Sequence, residues 1–289
     1  MPPIKLYYCN IKNFGDQLNR DIFSHYGYDV EHTLPNEAQV SAIGSILEKL
    51  SYNFNGLILG SGFMFESSSN CFPSASIIGV RGHLTRKRVF ASQAVTLGDP
   101  GLLAPNCYAE SEKQYDLGLV PHYVDALDER LISLSKAEFK NVLLIDVTRN
   151  PKEVIADITR CEAIASSSLH GLIIADAFGI PSIWMQLSNK VSGKGFKFKD
   201  YYSVFGETPN CLTGNEIISI KQVKQNTRKR SSKIYRIKEE LDLMFHNLNY
   251  LLEKHQDMMQ NNFLYRYHYC KGKLDSIISR TISKRDTKI

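Results

Sequence analysis

The segment best suited to hold an anion is Ile164-Ala165-Ser166-Ser167-Ser168-Leu169-His170-Gly171. A short apolar run leads into three hydroxyl residues, and Leu169 to Phe178 reads as a helix closed by Gly179 with Pro181 just beyond. The first backbone N–H groups of such a helix have no intrahelical acceptor, and with the helix dipole they attract negative charge. His170 falls in the first turn, where its ring could give a hydrogen bond or a proton to a bound anion. The same residues also suit a plain helix start, with Ser167 or Ser168 as N-cap and His170 as a packing residue.

Other chemistry-bearing side chains stand where apolar runs end in turns: Asn13-Phe14-Gly15-Asp16, Gly60-Ser61-Gly62, Arg81-Gly82, Gly98-Asp99-Pro100-Gly101 and Pro121-His122. Arg81 offers a planar fork that fits carboxylate or phosphate. Asp16 and Asp99 are carboxylates and His122 is a second titratable imidazole, while Lys194, Lys197 and Lys199 add cations beyond the last strong apolar run. Each has a local alternative. Asp16 suits a helix cap, Arg81 a surface ion pair, His122 an ordinary loop, Asp99 a turn, and the lysines a solvated face.

The elements that must position these residues alternate. Strands are expected at Ile4 to Cys9, Val40 to Ile43, Gly56 to Leu59, Ala75 to Val80 and Val95 to Leu97, with helices at Gln17 to Tyr26 and His83 to Phe90. The pattern restarts with strands at Leu117 to Val120, Asn141 to Val147, Ala163 to Ala165 and Ser182 to Met185. Helices are expected at Glu129 to Leu134, Pro151 to Arg160 and Leu169 to Phe178. Asn141 to Val147 is apolar almost throughout and rich in branched residues, which predicts a buried central strand. Alternating β and α units imply parallel sheets covered by helices, whose ligands bind beyond the C-terminal strand ends. Every candidate turn lies at such an end. Pro105-Asn106 and Glu110 to Lys113 read as a linker, so the expected division is residues 1–110, residues 111–220 and a tail over residues 221–289.

Six segments, in one order, carry a family resemblance. Asn13-Phe14-Gly15-Asp16, Gly60-Ser61-Gly62, Val80-Arg81-Gly82-His83-Leu84-Thr85, Leu97-Gly98-Asp99-Pro100, Leu117 to His122 and Ser166 to Gly171 with the following Leu172-Ile173 to Pro181 resemble the turns of the polysaccharide pyruvyltransferase family, over about residues 5 to 205. The look is that of the exopolysaccharide ketal-pyruvate transferases. The resemblance implies an α/β fold of two Rossmann-like domains in a glycosyltransferase-B-like arrangement, with the acceptor on the N-terminal side and the donor on the C-terminal side. It implies phosphoenolpyruvate as donor, a lipid-linked or polymeric glycan as acceptor, a pyruvate ketal as product and release of phosphate. Neither a metal nor an organic cofactor is implied. His170 is then the first candidate for the acid and His122 the second, with Asp16 or Asp99 as the carboxylate near the acceptor. Arg81, Ser167, Ser168, Leu169, Gly171, Lys194 and Lys197 fall on the donor, and Asn13, Gly15, Gly60, Ser61 and Asp99 on the acceptor. Ser168 stands where many relatives carry arginine before Leu-His, so the lysines following Gly193 are candidates to replace that charge. Two other readings share these features: a nucleotide-sugar glycosyltransferase of the same architecture, and a catalytically silent glycan-binding member.

Composition narrows the partners. The chain has 289 residues, enough for two medium domains. No apolar stretch approaches the roughly 20 residues of a membrane helix, and the first residues lack a signal-peptide apolar region. A cytoplasmic protein is therefore expected. Six scattered cysteines form no C-x-x-C pair, which favours reduced thiols over a disulfide or zinc framework. The charge is divided. Residues 1–220 carry 19 basic and 23 acidic side chains, and residues 221–289 carry 16 basic and 7 acidic. Between Lys221 and Lys238 there are eight Lys or Arg and no acid, followed by Ile234, Ile237, Leu241, Met244, Leu248 and Leu251 at helical spacing. This predicts a basic amphipathic helix that either packs across the domains or, through residues 221–240, meets an anionic membrane surface at the inner face of the cytoplasmic membrane. No nucleic-acid module is recognisable.

Overall fold

Short apolar runs bounded by turn residues form strands, and every strand pairing is parallel. The structure, a computed structural model, describes residues 2–91, 94–137, 141–213, 220–226 and 231–261. In chain order the elements are β1 (Ile4–Tyr7), α1 (Phe14–His25), β2 (Val30–His32), β3 (Val40–Ser41), β4 (Leu57–Leu59), β5 (Ser76–Val80), α2 (His83–Arg88), β6 (Thr96–Leu97) and α3 (Ala104–Cys107). They continue with β7 (Leu117–Val120), α4 (Glu129–Ala137), β8 (Val142–Leu144), α5 (Pro151–Thr159), β9 (Ile164–Ser166), α6 (Leu169–Ala177), β10 (Ser182–Gln186), α7 (Phe196–Ser203), β11 (Cys211–Thr213), α8 (Ile220–Asn226) and α9 (Ser231–His246). Six strands form one sheet in the order β2-β1-β3-β4-β5-β6, and five form the other in the order β11-β10-β9-β7-β8. The expected mixed α/β class with two parallel sheets is what the chain adopts.

Ile4 to Cys9 and Val40 to Ile43 pair only over Ile4–Tyr7 and Val40–Ser41, and the widest departure from the sequence reading is in a third strand. Asn141 to Val147 predicts a long central strand, but only Val142–Leu144 pair, and β8 is the edge of its sheet. The side chain of Asp146 accepts from Thr148 N–H and Thr148 Oγ1, which closes a turn. The carbonyl of Val147 is drawn off to Phe14 N–H at 2.9 Å. Those bonds take the apolar run away from the ladder.

The two sheets meet through the loops that follow their C-terminal strand ends. The loop after β8 takes the first N–H of α1, as just described. The start of α1 touches the start of α6, and the side chain of Arg81, at the end of β5, reaches Asp200 in α7. Helix α6 lies at this junction, and all nine of its residues are buried. An all-round apolar helix is stable only when covered on every side, which is why its first turn, with His170, ends up inside the protein. Helix α7 follows β10 in the second sheet's half of the chain yet packs on α2 of the first, with Ser203 accepting from His83 N–H.

Helix α9, Ser231–His246, follows the basic run and closes this unit, which ends at His246. In α9, Ile234, Ile237, Leu241 and Met244 are buried, and Ile237 and Leu241 lie against Gly98 at the end of β6. Residues 228 to 230, three of the eight expected cations, lie outside the described residues, as do residues 262–289 of the tail. Residues 248–261 are helical and belong to a second unit beginning at Asn247.

Candidate active site

Asn13 caps α1, its side chain accepting from Gly15 N–H at 3.1 Å. That cap fixes Asp16 in the first turn, buried. Gly15 is required by close approach: a Cβ there would stand 1.9 Å from His170 Nδ1. Phe14 meets the same imidazole edge-on, with ring centroids 6.3 Å apart. The two motif turns richest in candidate residues, one from each half of the chain, are therefore in direct contact.

The serine run divides its work. Ser166 Oγ lies 2.8 Å from the Val120 and Ser168 carbonyls and accepts from Ser168 N–H, which ties the end of β9 to β7. Ser167 Oγ donates to Asp125 and accepts from His122 N–H at 2.8 Å. Ser168 occupies the N-cap position of α6, but its hydroxyl makes no capping hydrogen bond. Leu169 and His170 open the helix. Gly171 lies against Ser166 and Val120, where a Cβ would stand 2.4 Å from Ser166 Oγ.

Around His170 is a buried cluster of ionisable groups whose charges act on one another. Burial, with the positive charges of Lys197 and Arg81, pushes the His170 imidazole down to about 3, and its Nε2 is buried without a hydrogen-bond partner. His122 is pushed down to about 4 by burial and by Lys197. Burial lowers the Lys197 ammonium to about 8, Arg81 adding to the shift and Asp16 opposing it. Among the described residues no hydrogen bond or ion pair holds that ammonium; it stands 5.5 Å from the centre of the Phe198 ring. On the other side, burial raises Asp16 to about 7, countered by Lys197 and reinforced by Asp99. Asp99 is raised to about 6 by burial, although it accepts from Gly101 N–H, and its Oδ2 has no partner. Two orphaned polar atoms and an unpaired ammonium in one buried cluster are unfavourable for folding alone, and their chemistry fits a polar, anionic ligand.

Other candidates take different places. Arg81 is fully buried and faces protein: its Nε donates to Asp200 Oδ2 at 2.9 Å and its Nη2 to the Phe63 carbonyl at 2.6 Å, while Nη1 donates to Ser45 Oγ. Gly62 packs on the guanidinium, and a Cβ there would stand 2.4 Å from Arg81 Cζ. Ser61 Oγ bonds Ser41 Oγ and the Ala42 carbonyl, and Gly60, at φ +131°, abuts Pro100. Of the three lysines, only Lys197 is buried; Lys194 and Lys199 are exposed. Lys194 lines a cleft of about 430 Å³ beyond β10, together with Ser167, Trp184 and Phe198. Asp200, which the sequence reading passes over, is the buried partner of Arg81 and also accepts from Thr85 N–H and Oγ1. Its only local signal is an acid at the end of an alternating Phe-Lys-Phe-Lys run. Among the described residues no group of His, Cys, Asp or Glu could hold a metal ion, no disulfide joins the described cysteines, and no helix is long and apolar enough to cross a membrane.

The buried carboxyl of Asp16 yields a pH test. Its folded pKa lies well above that of an ordinary aspartate, so the native state holds the proton more tightly than the unfolded chain. The carboxyl therefore makes folding less favourable as pH rises from about 4 through about 7. Asp16→Asn should melt above the wild type at pH 8, by about 1 kcal/mol or more at roughly 2–4 °C per kcal/mol, and the gap should close by pH 4. A gap independent of pH, read by calorimetry, would contradict a buried protonated carboxyl.

Two parallel sheets covered by helices, with a buried cluster of cations, carboxylates and imidazoles at their C-terminal strand ends, define the chain as a Rossmann-like α/β protein. The polysaccharide pyruvyl transferase family matches residues 13–189, more than half of the chain, and the chain belongs to that family. It is 29% identical over 213 residues to the succinoglycan biosynthesis protein ExoV of Rhizobium meliloti (strain 1021), covering 71% of this chain and 66% of that protein. It is 35% identical over 173 residues to the uncharacterized protein L143 of Acanthamoeba polyphaga mimivirus, covering 57% of this chain and 59% of that protein. These matches span about three fifths to two thirds of the length of those relatives.

Proposed function

We propose that the chain is a phosphoenolpyruvate-dependent pyruvyltransferase that places a pyruvate ketal on a hydroxyl pair of a glycan precursor. The observation that carries this reading is the buried cluster of His170, Lys197, Asp16 and Asp99, with orphaned atoms at His170 Nε2 and Asp99 Oδ2. Family membership and the likeness to a succinoglycan biosynthesis protein support it.

The donor carries a phosphate and a carboxylate, so it needs two anion holders. The start of α6 supplies backbone donors, and Lys197 supplies the charge that Ser168 lacks. Burial and the neighbouring cations keep His170 neutral. A bound polyanion reverses that, because nearby negative charge favours the imidazolium. His170 then protonates the methylene carbon of the donor while a sugar hydroxyl oxygen bonds to the central carbon and gives its proton to Asp16. A second hydroxyl forms the other C–O bond, the bond to the phosphate oxygen breaks, and inorganic phosphate leaves with the remaining proton. A carboxyl titrating near 7 is well matched to this exchange at neutral pH. His122 sits beside Ser167 as a second imidazole, but its backbone N–H already holds that hydroxyl.

In this reading the first sheet's turns face the reacting hydroxyl pair of the acceptor and the start of α6, in the second sheet's half, faces the donor, the two halves acting as Rossmann-like domains in a glycosyltransferase-B-like pair. The apolar face of α9 is occupied by the fold. Contact with an anionic membrane would therefore rest on exposed cations such as Lys221 and, in exchange for their pairs with Asp116 and Glu240, Lys224 and Arg236. The test is thermal stabilisation by phosphoenolpyruvate against a panel of nucleotide sugars, followed by phosphate release with lipid-linked glycans. The expected result is stabilisation by phosphoenolpyruvate and phosphate release that depends on acceptor. Stabilisation by a nucleotide sugar alone would overturn it in favour of a glycosyltransferase, and the absence of turnover with every donor would point to the silent member.

A further inference from the structure

We infer that the cleft beyond the C-terminal end of β10 is a subsite for a neutral sugar ring of the acceptor glycan, next to the ring that reacts. This rests on the reading of the chain as a glycan-modifying transferase. The cleft holds about 430 Å³, within the range of small-molecule sites. One wall is aromatic: Trp184 and Phe198 line it and stack on each other, centroids 4.5 Å apart at 13°. Around them stand Gln186, Ser188, Asn189 and Lys194. None of the lining residues is acidic and Lys194 is the only charged one, so the lining suits neither a cation nor a densely charged anion.

The polar groups have capacity to spare. Gln186 Nε2 donates to Asn189 Oδ1 at 3.0 Å. Among the described residues this leaves the Gln186 carbonyl oxygen and the Asn189 amino group without partners. One accepts and the other donates, as sugar hydroxyls require, since each hydroxyl both donates and accepts. An apolar wall with a few convergent amides suits a pyranose, which presents C–H groups on its faces and hydroxyls at its edge.

The cleft also adjoins the cluster. Ser167 lines it while its hydroxyl bonds His122 N–H and Asp125. Lys197 stands over the ring of Phe198, the other member of the aromatic wall. A glycan seated here has its neighbouring ring beside Lys197 and the start of α6. Lys194, which the sequence reading assigns to the donor, falls on the glycan instead.

Trp184 is the only tryptophan of the chain, so its emission reports on the cleft. The experiment titrates the full chain with cellobiose, lactose, methyl β-glucopyranoside and methyl β-galactopyranoside, with and without saturating phosphoenolpyruvate, and with uridine diphosphate as comparison. The expected result is a saturable change with at least one disaccharide, tighter than with its methyl monosaccharide and retained with phosphoenolpyruvate present. Gln186→Ala with Asn189→Ala, both exposed side chains, should weaken it by about tenfold, equivalent to about 1.4 kcal/mol, without moving the melting temperature. No change with any sugar while phosphoenolpyruvate still stabilises the protein overturns the inference. So does displacement of the sugar by phosphoenolpyruvate, or a response to uridine diphosphate alone. A sugar response without stabilisation by phosphoenolpyruvate keeps the subsite and sinks the donor reading.

Discussion

His170→Gln is expected to lower turnover about 10²- to 10⁴-fold, the range for loss of a positioned acid, while the melting temperature stays near that of the wild type. Glutamine fills much of the same space and keeps a polar end, so the contacts with Gly15 and Phe14 are only modestly disturbed. It cannot carry the proton. The loss should fall on kcat more than on KM, because the start of α6 and Lys197 still hold the donor. Steady-state phosphate release at saturating phosphoenolpyruvate measures it. Equal turnover in variant and wild type would remove His170 from the chemistry and leave Nε2 as an unexplained orphan. The direction of the pKa shift adds a constraint. An imidazole held near 3 by burial and by Lys197 and Arg81 is neutral across the working range, so in the proposed mechanism its acid form comes with the donor's charge.

The parts of the fold visible in the sequence were those governed by local rules. Leu117–Val120 is a strand at its expected bounds because four apolar residues sit between turn signals and both faces are buried. Pro151 opens α5 with Asn150 as its cap, as the residue types require. What local rules cannot supply is the competition between partners. Asn141 to Val147 looks more strand-like than any other run, yet Val147 gives its carbonyl to α1 and the strand stops at Leu144. Helix α7 went unread because its alternating Phe and Lys resemble a solvated segment. Only the packing of α2 and of the aromatic wall makes Phe196, Phe198, Tyr201 and Tyr202 interior. The same blindness applied to the site. The turns could be found one by one from their glycines and hydroxyls, but nothing in the spacing distinguished buried Lys197 from exposed Lys194 and Lys199, or paired Arg81 with Asp200, 119 positions away.

That pair carries the largest stability effect. Asp200→Ala should cost about 3–5 kcal/mol, the range for removing one partner of a buried ion pair, because Arg81 would keep its charge in a fully buried place with only Ser45 and the Phe63 carbonyl to bond. Thr85 would lose two hydrogen bonds at the same time, leaving α7 tied to α2 by Ser203 and His83 N–H. Urea unfolding monitored at Trp184 reads the loss, and the Arg81→Met, Asp200→Leu double variant should be less destabilised than Asp200→Ala, since no unpaired charge remains. The comparison also separates two roles for Arg81. If its guanidinium serves mainly to lock Asp200, Arg81→Lys loses stability through the missing fork geometry, and what activity survives keeps its KM for phosphoenolpyruvate. If it also reaches the donor, the same variant raises that KM well beyond what the stability loss explains. Complete burial and three protein partners make the first outcome the expected one. In the proposed mechanism the guanidinium then acts on the donor through its field at His170 and Lys197, which leaves the direct contacts to Lys197 and the start of α6.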